Sequence, residues 1–213
     1  MRIGVIQASS QSEKNKLIYD TVAEYAAGSE VFNFGCREDE PVKFSYIEIS
    51  ILVGLLLSSK AVDYVVTGCS SGQGMMLACN NMSGVICGYA PTPNDAYLFA
   101  QLNNGNAISL PLGEEYSWTG KDNFVATIAK LFSEPFGQGY PKSEAKRKLS
   151  DTVLLKDIRE KSQISMIDLM DSLSDDLVSK IMNKNDVIDF IIENGSVPEL
   201  VSWIKTRTEN TNV

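Results

Sequence analysis

Apolar positions follow two rhythms over the first two thirds of the chain. Short apolar runs at residues 2–7, 30–34, 63–67, 84–88 and 106–110 read as strands. Between them, longer stretches repeat every three to four positions and read as helices. Residues 13–27 place Leu17, Ile18, Val22 and Tyr25 on one face and stop at Gly28. Residues 46–59 are almost continuously apolar. Residues 75–81, 93–102 and 120–132 complete the set, with Asn94 and Asp95 in the first turn of the helix at 93–102. Strands alternating with helices at this spacing predict a parallel sheet covered on both faces. The expected architecture is a three-layer α/β/α sandwich around five parallel strands. Right-handed crossovers bring all strand C-termini to one edge, where such sheets bind ligands. The loops after residues 8, 68 and 88 all emerge there.

From residue 150 onward the strand rhythm disappears. Helical periodicity over residues 162–205, with breaks near Lys184 and Gly195, predicts three short helices. We divide the chain into an α/β domain at 1–149 and a helical C-terminal extension at 150–213. The extension reads as a packing or oligomer arm, and residues 206–213 are expected to fray.

Composition narrows the function. The chain has 213 residues, 44% hydrophobic and 22% charged, and a net charge of -8. That charge gives nucleic-acid binding no bulk support. No apolar run approaches the ~20 residues of a membrane span. The opening MRIGVIQASS reads as a strand and not as a signal peptide. The expected location is the cytoplasm, with reduced thiols. Histidine is absent altogether. Serine–histidine and cysteine–histidine catalysis are therefore excluded within the chain, and a zinc site would need an unusual ligand set. A base acting near neutral pH must be a carboxylate, a cysteine, a lysine or a tyrosine.

Candidate chemistry concentrates at residues 62–106. A strand ends in TGCSSGQG, and a helix follows. Backbone N–H groups at such a turn lack helical partners and favour anions. The loop is not a Walker A loop, since no GK[ST] follows, nor a dinucleotide fingerprint, since the third glycine is missing. A cysteine phosphatase would need arginine where Met75 stands. Cys69 sits where a ligand would sit; the alternative is a small buried hydrophobe. Cys79 and Cys87 lie inside a helix and a strand and read as core, while Cys36 stays open. Asn103 and Asn106 flank Asn104-Gly105. They read either as a helix stop and turn or as amides for polar oxygens.

These residues resemble the family of type-B ribose-5-phosphate isomerases and galactose-6-phosphate isomerase subunits. The resemblance covers roughly residues 1–150 and is strongest over VDYVVTGCSSGQGMMLACNNMSGV and LNNGNAISLPLG. Cys69, Ser70, Ser71, Gly72 and Gly74 fall on the family's CGTGxG loop, and Asn80 on its AN asparagine. Asn103 and Asn106 fall on the asparagines of HNxxN, and Tyr46 on the tyrosine of DYP. The resemblance implies strand order 2-1-3-5-4 and a site shared between subunits of a homodimer or homotetramer. It implies an aldose–ketose isomerase for a phosphorylated sugar, without metal or cofactor. Cys69 would be the base, the loop would hold the enediolate, and Ser70, Ser71, Gly72, Gly74, Asn103, Asn106, Tyr46 and Ser9 would contact substrate. The chain departs from the family pattern at the Asp-His pair, which becomes Ala8 and Ser9, and at the ring-opening histidine, which becomes Leu102. The family's GRHxxR becomes GQGYPKSEAKR, where Lys142, Lys146 and Arg147 are the candidate cations. Loss of the histidines motivates an alternative, a non-catalytic sugar-phosphate-binding subunit. A hydrolase or thiol-redox protein is a weaker third reading, since no resolving cysteine lies nearby.

Overall fold

The structure, a computed structural model, describes residues 1–211. Five strands form one parallel sheet: β1 (Arg2–Val5), β2 (Glu30–Asn33), β3 (Tyr64–Cys69), β4 (Cys87–Tyr89) and β5 (Ala107–Pro111). Their order is β2-β1-β3-β5-β4, as the resemblance implies. Alternate residues of each strand face opposite sides. Tyr64 and Val66 join a core with Ile18, Val22, Phe124 and Ile128 from α1 (Asn15–Tyr25) and α5 (Lys121–Leu131). Val65 faces the other way, into a second core with α2 (Tyr46–Ser58) and α3 (Gln73–Asn80).

The helix at 93–102 is divided. α4 (Pro93–Leu98) passes into a wider π turn at Phe99–Asn103, which ends on left-handed Asn104. The fourth strand starts three residues later than its apolar run predicts. Gly84 is left-handed, and the Ile86 N–H is taken by the Asn106 side chain at 2.8 Å. Those residues form a tied turn before β4 begins.

The C-terminal part differs more. Over 162–205 it holds four helices rather than three, α7 (Met166–Ser172), α8 (Asp175–Met182), α9 (Asn185–Asn194) and α10 (Pro198–Thr211), and α6 (Ala145–Ser162) precedes them, running across the 149/150 division. The anticipated breaks near Lys184 and Gly195 are present. The others fall at serines: Ser165 caps α7 by accepting from the Asp168 N–H, and Ser174 starts α8. Residues 206–211, expected to fray, belong to α10; residues 212–213 lie outside the described residues.

α2 explains why so many apolar residues are needed here. Every residue from Ile49 to Leu57 is buried, and a helix apolar all round must be covered on all sides. The sheet covers one side. Met166, Met170, Val178, Ile181, Ile188 and Ile191 cover the other within the same core. The sequence suggests this helix as an oligomer surface. Instead its outer face is taken up by the chain's own C-terminal helices.

One ion pair fastens that outer layer. Lys180 of α8 lies 2.6 Å from Glu48 in the first turn of α2. Burial alone would raise the Glu48 carboxyl, but hydrogen bonds from Lys180 and Ser45 outweigh it and hold the group below its ordinary value of 4.5. The folded state therefore binds this proton less readily than the unfolded chain. The stability so gained is complete above the ordinary value and is lost as pH falls through the lower folded one. Glu48→Gln is expected to be less stable than wild type at about pH 7, with the gap closing below about pH 4. Urea unfolding across that range checks it.

Candidate active site

Cys69 is the last residue of β3, which runs two residues past its expected end at 67. It pairs with Pro111 at the end of β5. The chain then turns through Ser70, Ser71 and Gly72 into α3. Gly72 is left-handed at φ 73°, the only such position in the loop. Its carbonyl accepts from Ser109 Oγ at 2.6 Å and from the Met76 N–H at 3.1 Å. The turn is thereby pinned to β5. No side chain caps α3, so its first-turn N–H groups remain as donors.

A cavity of about 430 Å³ opens over this turn. Cys69, Ser70, Ser71 and Gly74 form its floor. Cys69 is 7% exposed, and that remnant faces the cavity. Phe44, Ser45 and Tyr46, leading into α2, form one wall; Ala8, Ser10 and Tyr116 complete it. The Tyr46 ring lies over Gly74, where an added Cβ would sit 3.3 Å from the ring. The lining includes hydroxyls but, among the described residues, no lysine or arginine.

Ser9, expected at the site, has another task. Its hydroxyl accepts from the Phe44 N–H at 2.8 Å, and its own N–H donates to the Phe44 carbonyl at 3.0 Å. It anchors the wall from behind, while its neighbours Ala8 and Ser10 line the cavity. Gln11 also escaped sequence reasoning. Its side chain donates to Ser70 Oγ at 3.1 Å, and its carbonyl oxygen is buried without a partner among the described residues. Residues 9–14 form a tight helical turn, whose register no hydrophobic period betrays.

Asn103 and Asn106 do not meet Cys69 within one chain. Cys69 is level with Pro111, while Asn106 precedes the first residue of β5. Five steps along the strand put it about 16 Å away, at the opposite edge of the sheet. The Asn106 amide bridges the Ile86 N–H and the Gly84 carbonyl, each at 2.8 Å. Asn106→Ala is expected to cost about 1 kcal/mol of stability through these lost bonds. Thermal unfolding of the purified variant checks this. Asn103 is exposed beside this turn. A larger cavity, about 750 Å³, lies at this same edge, with Asn106, Arg2, Lys60 and Arg159 on its lining. Asn80 is structural too: its amide joins the Met76 and Cys87 carbonyls and accepts the Cys87 N–H.

All four cysteines are free. Burial pushes the Cys36 thiol up, against a hydrogen bond with Ser9 that works the other way. Cys87 is raised further, by its hydrogen bond with Cys79 and then by burial. All four thiols belong to the same core, and Cys69 alone of the four also borders this cavity. Lys142, Lys146 and Arg147 are exposed, with Arg147 bound to Glu144 and Asp151. None of the three lines the Cys69 cavity.

An open parallel sheet, carrying a cysteine at a strand C-terminus beside a glycine turn, defines the class of α/β enzyme in which small ligands sit over the strand ends. The chain belongs to the ribose/galactose isomerase family, whose model matches residues 3–148. It is similar over its whole length to a 4-deoxy-L-threo-5-hexosulose-uronate ketol-isomerase solved with a tartrate: 32% identity, 97% of this chain and 98% of that one, TM-score 0.90. A ribose-5-phosphate isomerase from Vibrio parahaemolyticus matches equally, at 33% identity, 97% and 98% coverage and TM-score 0.90. The type B ribose 5-phosphate isomerase of Trypanosoma cruzi shares the fold, at 19% identity and TM-score 0.62. All of that chain but 1% is covered by 76% of this one. No curated protein sequence matches the chain significantly. The protein is an isomerase of this family.

Proposed function

We propose that the protein interconverts an open-chain aldose and its ketose, with Cys69 as the base. The thiolate removes the proton from C2 of the aldose. The electron pair forms the C1–C2 double bond, and the charge moves to O1. The N–H groups of the 70–74 turn and the Ser70 and Ser71 hydroxyls stabilise that enediolate. The proton returns to C1 while the O2 proton passes to O1, leaving the ketose. Every atom of the substrate is kept, so no cofactor is needed.

The observation that carries this reading is the single thiol at the floor of a hydroxyl-lined cavity, next to uncapped helix donors. The substrate class we favour is a 4-deoxy-5-hexosulose uronate. Such a chain has no hydroxyl at C4 and a carbonyl at C5. Its C1 aldehyde therefore lacks the partners for the five- or six-membered ring of an ordinary aldose, which lessens the need for a ring-opening acid. That suits a chain without histidine. It also suits a cavity without lysine or arginine, since one carboxylate asks for less positive charge than a phosphate dianion. The full-length similarity to the uronate ketol-isomerase supports the choice.

A phosphorylated sugar is the second reading, favoured by the equal similarity to the Vibrio protein. It requires cations from elsewhere. A second copy is their natural source, since the family resemblance implies a site shared between subunits. α6 leaves Leu154, Leu155 and Ile158 exposed on one face, apolar surface that a homodimer or tetramer would cover. A rate panel decides between substrates. We expect kcat/KM for the deoxy-hexosulose uronate to exceed that for ribose 5-phosphate or galactose 6-phosphate by about 100-fold or more. The reverse ranking would restore the phosphosugar assignment.

A further inference from the structure

We infer that Lys180 and Lys184, in and after α8, are positioning residues that hold the Phe44–Tyr46 wall of the Cys69 cavity, so that the C-terminal helices take part in shaping the substrate site. The inference rests on the isomerase reading above and assigns a role to a part of the chain outside the matched family region.

The wall joins buried Phe44 to exposed Ser45 and Tyr46, and three links fix it. In the first, the two Glu48 oxygens do different work. One takes Lys180 Nζ at 2.6 Å; the other accepts the Ser45 N–H at 2.5 Å. Ser45 Oγ in turn accepts the Glu48 N–H, which closes a capping box at the start of α2. The lysine therefore orients the carboxylate that sets Ser45, and the next residue is Tyr46. In the second link, Lys184 is almost completely buried, at 5% exposure. Its ammonium bonds Glu40 at 2.9 Å and Asp186 at 3.0 Å. Glu40 uses its other oxygen to hold the Arg37 N–H at 2.9 Å, which tightens the loop leading to the wall. In the third, both ammonium groups flank the Phe44 ring, 5.5 Å and 5.9 Å from its centre. Phe44 itself lines the cavity and is tied to Ser9 from behind.

The reacting groups stand elsewhere. Cys69 and its loop are held by β5 through strand pairing and the Ser109–Gly72 hydrogen bond. Loosening the wall should therefore disturb binding and access more than chemistry.

The test is made on the full chain and has a readout that needs no substrate. Iodoacetamide labelling of Cys69 is followed by peptide mass spectrometry, with buried Cys79 and Cys87 as controls for general unfolding. In Lys180→Met, Cys69 should label about fivefold faster, with Cys79 and Cys87 unchanged, while KM rises about tenfold and kcat stays within about twofold. Lys180→Arg should restore both. Lys184→Met strands two carboxylates, so Glu40→Gln is read beside it; it weakens the same link while Lys184 keeps Asp186. The same pattern is expected there. Wild-type labelling and KM in Lys180→Met and Glu40→Gln would overturn the inference. So would faster labelling of all three cysteines together, or a fall in kcat at constant KM. Failure of the isomerase reading would look different, because wild-type protein would then turn over no candidate sugar while the labelling comparison still stood.

Discussion

Cys69→Ala is expected to abolish turnover while leaving the fold intact. Positioned general bases contribute about 10²- to 10⁴-fold, so kcat/KM should fall by about 10³-fold or more. The residue is nearly buried at the end of a central strand, but alanine fits there without strain. The stability cost should be about 1 kcal/mol. Steady-state kinetics and thermal unfolding of one preparation check both halves. Active alanine protein would leave the cysteine as a packing residue and move the chemistry to another group on the cavity. Inactive but well-folded protein that still binds the sugar is what the account requires.

Gly72→Ala is expected to have the second largest effect, through the backbone. At φ 73°, a side chain strains the turn by roughly 1–2 kcal/mol. The added Cβ would also stand 2.8 Å from the Leu110 carbonyl carbon and the Pro111 nitrogen. Both are main-chain atoms of β5 and cannot swing aside. Together these should cost about 3 kcal/mol or more, a large share of the stability of a domain this size. The turn would have to lift from β5, breaking the Ser109 bond and moving the donors away from Cys69. A displacement of this kind is worth about 100-fold in rate. Chemical denaturation and kcat/KM of the same variant report the two effects separately.

Much of this was legible in the sequence. The alternation of apolar runs marks all five strands, and the resemblance supplies their order. The TGCSSGQG turn announces itself by its small residues after an apolar strand. What stayed hidden depends on contacts between distant segments. Nothing around Phe44 or Tyr116 marks them as cavity residues, because loops far apart in sequence bring them to Cys69. Ser9 was misplaced by one position: the tight turn at 9–14 points Ser10, not Ser9, into the cavity. Asn106 matches a family motif but spends its amide on two backbone groups here. The C-terminal helices were undercounted because breaks at Ser165, which caps α7, and at Ser174, where α8 begins, interrupt a continuous helical rhythm. The apolar excess of α2 was visible; that its own chain covers it was not.

The central claim is that the Cys69 sulfur lifts a proton from carbon next to a carbonyl. Proton exchange at C2 in deuterated water, followed by NMR on the deoxy-hexosulose uronate and on the sugar phosphates, tests it most directly. Wild-type protein should wash deuterium into C2 of its substrate even where net conversion is slow, and Cys69→Ala should not. Exchange or conversion that survives loss of the thiol would rule the sulfur out as the base.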